Sequence, residues 1–392
     1  MTAERVSLVT PLAGRDGGVA IHVMESADAL TAAGHQVTIV CARADAGAQL
    51  SAIEVPEIAE PGSAQAGACL ERALRASRPD IVQIHDLADP QIVTTAQRCA
   101  PTLVSAHGYP GCTHNNHYFA PGVECHRGHG PGCLVNIAFR GCFHARNPLP
   151  VAGLYGQTSL RLAAYEMADG IVAYSNAVVR HLAENGLKAR LVPLFTALAR
   201  RDAPPPPKYG RRVLFVGRVV PAKGLETLLR AMARIDAGLT IVGDGWRRSA
   251  AEELATRLDI TARVRFAGWM TGDALVDQYR ESNVVAVPSL WPEPFGLVGI
   301  EAMALGRPVV ASMTGGIRDW LYHGVTGIGV WPGRVSELVD ALTRILDDPG
   351  LQATMGASGR HLVEQRFTER AHVAALSSAF AAAAEGWRPS IR

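Results

Sequence analysis

The sequence predicts an α/β protein of two facing Rossmann-like domains with an interdomain cleft, and three observations carry that prediction. The chain has 392 residues, more than one ordinary hydrophobic core accommodates. Short β-branched runs alternate with longer stretches at helical spacing, the pattern of parallel sheets with helices on both faces. Midway, Arg200–Gly210 (RRDAPPPPKYG) breaks the pattern with four consecutive prolines that continue neither a helix nor a central strand, and the alternation then restarts.

Before the break, Val6–Thr10, Val37–Cys41, Ile81–His85, Thr102–Ala106, Ile171–Tyr174 and Arg190–Pro193 read as buried strands bounded by Gly, Pro or Asp. Val19–Ala33 and Leu154–Ala168 have helical spacing, the first stopped by Gly34. After it, strands are expected at Arg212–Val216, Leu239–Val242, Val264–Ala267, Val284–Val287, Pro308–Ala311 and Gly327–Val330. Helices are expected at Gly224–Ile235, Arg247–Leu258, Asp273–Glu281, Gly296–Leu305 and Val335–Leu346. The expected domains are therefore 1–199 and 211–367, joined by a linker at 200–210 and followed by a tail at 368–392. In that tail Thr368–Ala384 forms an Ala-rich helix with no preferred domain. In open parallel sheets ligands bind at the carboxyl ends of the strands, so the site is expected where the two sheets present theirs.

Composition narrows the function classes. Hydrophobic content of 48% with 19% charged residues describes a soluble globular protein, and a net charge of +2 gives no reason to expect nucleic acid or an acidic membrane surface. The sequence shows neither a signal peptide nor an uninterrupted apolar span of about 18 residues, so a cytoplasmic protein without a membrane span is expected. The seven cysteines, from Cys41 to Cys142, are odd in number and expected to be reduced. Lysine occurs only at 188, 208 and 223, so a lysine inside a motif stands out against the arginine background.

Two motifs in the second half carry chemistry. Gly217-Arg218-Val219-Val220-Pro221-Ala222-Lys223-Gly224 follows a strand and opens a helix, so Arg218 and Lys223 can grip an anion that also meets the helix N-terminus. As a short pattern alone it equally describes a solvated loop. Pro288 to Ala311 reads as strand, Pro-constrained loop, helix, Gly stop and strand. Glu293 falls in that loop, the amides of Gly296 and Leu297 begin the helix, and Glu301 lies just over a turn further in. Two carboxylates at this separation suit hydroxyl recognition on a sugar or ribose.

With these motifs on the page, the chain resembles the group-1 (family 4) retaining glycosyltransferases of GT-B architecture. The resemblance rests on EPFGLVGIE (Glu293–Glu301), GRVVPAKG, IVGDG (Ile241–Gly245), VRFAGWM (Val264–Met270) and TGG (Thr314–Gly316). Weaker matches are DGG (Asp16–Gly18), AAGHQVTIV (Ala32–Val40) and SAHG (Ser105–Gly108). It implies an acceptor-side first domain and a second domain that binds a nucleotide diphosphate sugar of unspecified base. Arg218 and Lys223, with Gly217 and the amides of Phe295, Gly296 and Leu297, would hold the donor diphosphate. Glu293 would bind the sugar and Glu301 the ribose, Gly243, Gly245 and Gly268 would border the nucleoside, and His107 would sit beside the anomeric carbon. Gly17 and Gly18 would approach the phosphates or the acceptor. Transfer would be retaining, with the leaving phosphate taking the acceptor proton, and would need no catalytic metal. Where the family usually has Gly-Gly-x-x-Glu this chain has Gly315-Gly316-Ile317-Arg318-Asp319, so Asp319 is left out of the site. His85, at the end of a first-domain strand, is either structural or a lining of the acceptor side.

Residues 109–146 lie outside the common pattern and hold Cys112, Cys125, Cys133 and Cys142 with His114, His117, His126, His129 and His144. Four thiols within 31 residues are candidate ligands of a structural zinc ion, although their separations of 12, 7 and 8 residues lack a Cys-x-x-Cys knuckle. Buried small hydrophobes, or an acceptor-binding loop, are the competing readings. The acceptor is expected to be a soluble small molecule, because Val19–Ala33 contains no Lys or Arg that would attract a lipid surface. Rival functions are a sugar-nucleotide epimerase or hydrolase on the same scaffold, and a non-catalytic metal- or thiol-binding protein. The sequence leaves the oligomeric state open.

Overall fold

The computed structural model describes residues 4–14, 17–45, 52–60, 64–113, 118–120, 123–140, 142, 148–207 and 210–387. Asp16, His114, His117, His144 and Lys208 lie outside the described residues.

Contacts divide the chain into two compact units. One comprises Met1–Asn116, His126–Pro193 and Glu369–Arg392; the other comprises His117–Cys125 and Leu194–Thr368. In the first unit, β1 (Arg5–Ala13), β2 (Gln36–Ala44), β3 (Ala52–Glu54), β4 (Ile81–His85) and β5 (Thr102–Ala106) precede a small antiparallel hairpin, β6 (Tyr118–Ala120) and β7 (Val123–Glu124). That hairpin itself groups with the second unit. Strands β8 (Gly170–Ala173) and β9 (Arg190–Leu191) complete a parallel sheet in the order β3-β2-β1-β4-β5-β8-β9.

The second unit runs β10 (Arg212–Val216), β11 (Gly238–Val242), β12 (Val264–Gly268), β13 (Val284–Val287), β14 (Val309–Ser312) and β15 (Gly327–Val330). They form a parallel sheet in the order β12-β11-β10-β13-β14-β15. Both sheets reverse strand order once near their middle, at β1/β4 and at β10/β13. Such a reversal leaves a crevice at the carboxyl edge, because the flanking connections depart to opposite faces. Val6, Leu8 and Val9 in one sheet, and Val213, Ile241 and Val285 in the other, are buried, as expected of strands covered on both faces.

Several helices were not legible in the periodicity. Pro90–Gln97, Asn176–Glu184 and Pro349–Arg366 each begin at a polar cap: Asp89 accepts from Gln91 N, Ser175 from Val178 N and Asp348 from Leu351 N. Asp-Pro at two of these starts is a cap followed by a pre-organised first residue. Helix Ala64–Ser77 buries Ala66, Leu70, Ala73 and Leu74, a stripe half built of alanine.

The terminal helix Glu369–Gly386 packs in the first unit, against helix Gly18–Ala32 and strands β5 and β8. The proline segment runs along the second unit and bonds to it: Asn283 Nδ2 donates to Pro207 O at 2.9 Å, and the fully buried Arg307 guanidinium donates to Pro204 O. Among the described residues no helix is long and apolar enough to cross a membrane.

Candidate functional site

At the β10/β13 reversal the two motif loops meet. Lys223 Nζ donates to Glu293 Oε1 at 2.7 Å, and Ser289 Oγ donates to the same oxygen at 2.5 Å. The Glu293 carboxylate is 5% exposed and the Lys223 side chain 22%, so the cation keeps an accessible face while the anion does not. Burial pushes the Glu293 carboxyl up, but the Lys223 charge and the hydrogen bonds from Lys223 and Ser289 outweigh it and hold the group below its ordinary range. Lys223 Nζ also lies 5.6 Å from the Trp291 ring centroid.

The backbone permits this approach at two glycines. A Cβ on Gly224, whose φ is +70°, would lie 1.9 Å from Pro288 O; one on Gly315, at φ +56°, would lie 2.3 Å from Glu293 O. Behind the loop the buried Trp320 indole donates to Phe295 O at 2.7 Å, and Gly316 N donates to Glu293 O at 2.7 Å.

Arg218 is exposed on the same β10 loop and has no ion-pair partner among the described residues. Gly296 caps helix Leu297–Ala304, so the first amides of that helix have no acceptor inside it. Further along, Glu301 Oε2 accepts from Tyr279 Oη at 2.7 Å; burial raises the Glu301 carboxyl, and the Tyr279 bond only partly offsets this. Gly217 N donates to Val242 O, Gly243 N to Gly268 O and Val219 N to Asp244 O, which knits the loops after β10, β11 and β12 into one rim containing Gly217, Gly243, Gly245 and Gly268. The structure therefore joins Lys223 to Glu293, leaves Arg218 exposed on the same loop as Lys223 and Glu301 on the helix after Gly296, and adds Ser289, Tyr279 and Trp320. Sequence reasoning missed these three because each is remote from the motif or carries no charge.

In the first unit, Gly17 (φ +95°) caps helix Gly18–Ala32 at the carboxyl end of β1. His85, fully buried, ends β4, and His107 follows β5; His85 Nδ1 and His107 Nε2 are 2.9 Å apart. The two candidates thus belong to one cluster, and its other members, His22, Tyr174 and His372, gave no motif signal.

The described residues do not bring the four candidate zinc thiols together. Among the described residues no group of three or more His, Cys, Asp or Glu side chains is placed to hold a metal ion, and none of the seven cysteines is in a disulfide. Cys125 groups with the second unit, whereas Cys112, Cys133 and Cys142 group with the first. Instead the segment contains hairpin β6–β7 and helix Pro131–Arg140, held by ordinary hydrogen bonds: His129 N donates to Asn185 Oδ1 at 2.7 Å, and His126 Nδ1 lies 3.2 Å from Glu184 Oε1. Glu124, at the end of the hairpin, accepts from Thr314 Oγ1 (3.0 Å), Gly315 N (3.0 Å) and an Arg318 guanidinium nitrogen (2.8 Å). Burial opposes its charge, but these partners hold its carboxyl below the ordinary range. Arg318, in the departure from Gly-Gly-x-x-Glu, is thus accounted for by a partner within this chain.

Known proteins place these features in a family. A D-inositol 3-phosphate glycosyltransferase from Rhodococcus jostii is 41% identical over 162 residues, which covers 38% of this chain and 36% of that protein. The chain thus matches little more than a third of the length of that relative. A sucrose-phosphate synthase from Thermosynechococcus elongatus has a fold similar at a TM-score of 0.72 and 23% identity, over 96% of this chain and 98% of that one. Anabaena Alr3699/HepE, solved in complex with UDP, matches at a TM-score of 0.70 and 17% identity, over 96% and 99%. The fold is therefore GT-B. The family description "Glycosyltransferase Family 4" matches residues 16–200 and "Glycosyl transferases group 1" matches 199–362, and the chain belongs to the group-1, family 4 glycosyltransferases.

Proposed function

We propose that the chain transfers a glycosyl group from a nucleoside diphosphate sugar to a hydroxyl of a small soluble acceptor, with retention of anomeric configuration. The observation that carries this reading is the Lys223–Glu293 pair at the β10/β13 reversal, with Arg218 exposed on the same loop as Lys223 and without an ion-pair partner among the described residues, and with the helix amides that follow Gly296. Cations and free amides suit a diphosphate whose charge grows as it leaves, and a fixed carboxylate suits the hydroxyls of the sugar it carries. The acceptor oxygen forms a bond to the anomeric carbon as the bond from that carbon to the β-phosphate oxygen breaks. The acceptor proton passes to the departing phosphate on the same face. Arg218 and Lys223 stabilise the diphosphate, so the step requires no metal ion.

The UDP complex of the Anabaena protein supports a nucleoside diphosphate donor, and the name of the Rhodococcus relative supports a small polar acceptor. Two experiments test the reading. Thermal shifts with UDP, GDP, ADP and TDP should single out one base, because a ligand that binds only the folded chain raises its stability. Proton NMR of the product should show the donor's anomeric configuration, with EDTA leaving turnover intact; an inverted product ends the retaining assignment.

A further inference from the structure

The first unit gathers four histidine rings, of which His22, His85 and His372 are buried and His107 is half-buried. His22 comes from helix Gly18–Ala32, His85 from β4, His107 from the turn after β5, and His372 from the terminal helix. The His22 centroid lies 5.6 Å from that of His107, 6.4 Å from His85 and 5.2 Å from His372, and the Tyr174 ring lies 4.8 Å from His107. Among the described residues this group is not one that could hold a metal ion.

We propose that His85 is a positioning residue that fixes the tautomer of His107, so that His107 meets its ligand as a neutral Nδ1–H hydrogen-bond donor and not as a base. That the ligand belongs to the glycosyl donor rests on the function proposed above; the tautomer does not.

The assignment follows from where protons can go. His85 Nε2 is buried and has no partner, and an orphaned N–H in the interior is rarer than an orphaned acceptor. His85 therefore carries its proton on Nδ1 and donates to His107 Nε2, 2.9 Å away. A neutral imidazole with Nε2 accepting carries its own proton on Nδ1, which has no protein partner among the described residues.

The surroundings agree. Burial holds both rings below the ordinary histidine range, only Asp86 acting the other way on His107. Tyr174 Oη donates to Ser105 Oγ at 3.1 Å, away from the rings. His372 Nδ1 must donate to Pro193 O (2.8 Å), so its Nε2 accepts from Ser26 Oγ (3.1 Å), and Ser26 Oγ in turn accepts from His22. Each ring is thus neutral, with a proton assigned by its neighbour. With Nε2 accepting from His85 and Nδ1 already protonated, His107 has no free lone pair for a proton, in keeping with the proposed transfer of the acceptor proton to the leaving phosphate.

The test is a long-range proton–nitrogen NMR correlation on the full-length, ligand-free chain labelled with 15N, at pH 7. Both His85 and His107 should show Nδ1 protonated and Nε2 unprotonated. Nε2 protonation in both rings would reverse the bond and overturn the proposal. His85→Leu removes the donor to His107 Nε2, so His107 should lose the Nδ1–H state, titrate at higher pH and carry the acid limb of kcat upward with it, kcat falling about tenfold. His85→Asn offers an amide N–H at the same place and should restore the tautomer and most of kcat; a pH profile identical in all three proteins would also overturn the proposal. If the Leu variant does not fold, the wild-type and Asn spectra still decide. Failure of the glycosyltransferase reading would appear as absent turnover in the wild type with the tautomers unchanged.

Discussion

The two sheets reverse order at equivalent places, yet the chemistry assembled there is opposite in kind. At β10/β13 the chain sets a buried carboxylate against a lysine and leaves an arginine open. At β1/β4, with the adjoining β5 end, it sets imidazoles against one another and favours their neutral form by burial. A buried ion pair persists only if each charge keeps its partner, whereas a neutral ring needs only a donor and an acceptor in the right order. The difference teaches that a shared topology fixes where a site is built and leaves its electrostatics to individual side chains. Permanent charge suits a leaving group that gains charge, and neutral donors suit groups that do not.

The largest effects should come from removing positive charge in the second unit. Lys223→Ala and Arg218→Ala should each lower kcat/KM by roughly 10²–10³, as loss of one preorganised electrostatic contact does. They should differ in stability. Lys223→Ala strands the Glu293 carboxylate and should cost about 3 kcal/mol in urea unfolding, whereas the exposed Arg218 should cost almost nothing. Adding Glu293→Gln to Lys223→Ala should recover much of the stability and none of the activity. Equal stability in both single variants would mean the pair is not a desolvated one.

Within the same unit, Glu293→Gln should depress turnover more than it weakens binding of free nucleoside diphosphate, and Glu301→Ala the reverse. One carboxylate faces the transferred sugar and the other the ribose in the proposed reading. Titration calorimetry with the diphosphate separates them, and matching losses would show the roles are misassigned.

The pH dependence of stability should distinguish the two units next. His372 is buried and pushed down to about 4, below the 6.5 of an unperturbed histidine. As pH falls, the unfolded chain therefore takes up the proton first, and stability drains between about 6.5 and 4 at up to about 1.4 kcal/mol per pH unit. His22 and His85, also shifted downward, act in the same sense. Glu293 is depressed relative to 4.5, so its contribution is retained until pH falls below that value. Hydrogen exchange, corrected for intrinsic rates, should show β1, β4 and β5 losing protection between pH 7 and 5 while β10 and β13 keep theirs. A uniform loss would mean the histidine cluster is not the acid-sensitive element.

How much could be read from the sequence follows the same division. In the second unit, loop, helix entry and strand spacing coincide with the charged residues, so Arg218, Lys223, Glu293 and Glu301 stood out before any coordinates. Tyr279 did not, because it comes from a helix on which nothing but its burial marks it. In the first unit the strands were legible as β-branched runs, but His22 and His372 lie 350 residues apart and share a cluster only through the packing of the terminal helix. A pattern read along the chain cannot register such a pair. The cysteine spacing was legible, but not that thiols close in sequence divide between units, nor that Glu124, a charged residue without a motif, bonds to Thr314, Gly315 and Arg318.

The smallest effect, and the sharpest probe of that division, concerns Glu124. The hairpin that carries it leaves the first half of the chain and groups with the second unit, where one carboxylate oxygen takes three donors from Thr314, Gly315 and Arg318. The arginine side chain is 42% exposed and the carboxylate 11%, so solvent screens the ion pair while the threonine and glycine bonds remain partly sheltered. Glu124→Gln preserves shape and an acceptor oxygen but removes the charge; the expected loss is about 0.5–1 kcal/mol, and proteolysis within 109–146 should quicken by roughly two- to fivefold. Glu124→Ala removes the acceptor as well and should quicken it further, while Arg318→Ala should resemble the Gln variant because it deletes the same charge pair. Donor affinity should stay within about twofold in all three, since Lys223 and Arg218 are untouched. Cleavage at the wild-type rate in Glu124→Ala would mean that the hairpin is held by its own packing and that the carboxylate is incidental.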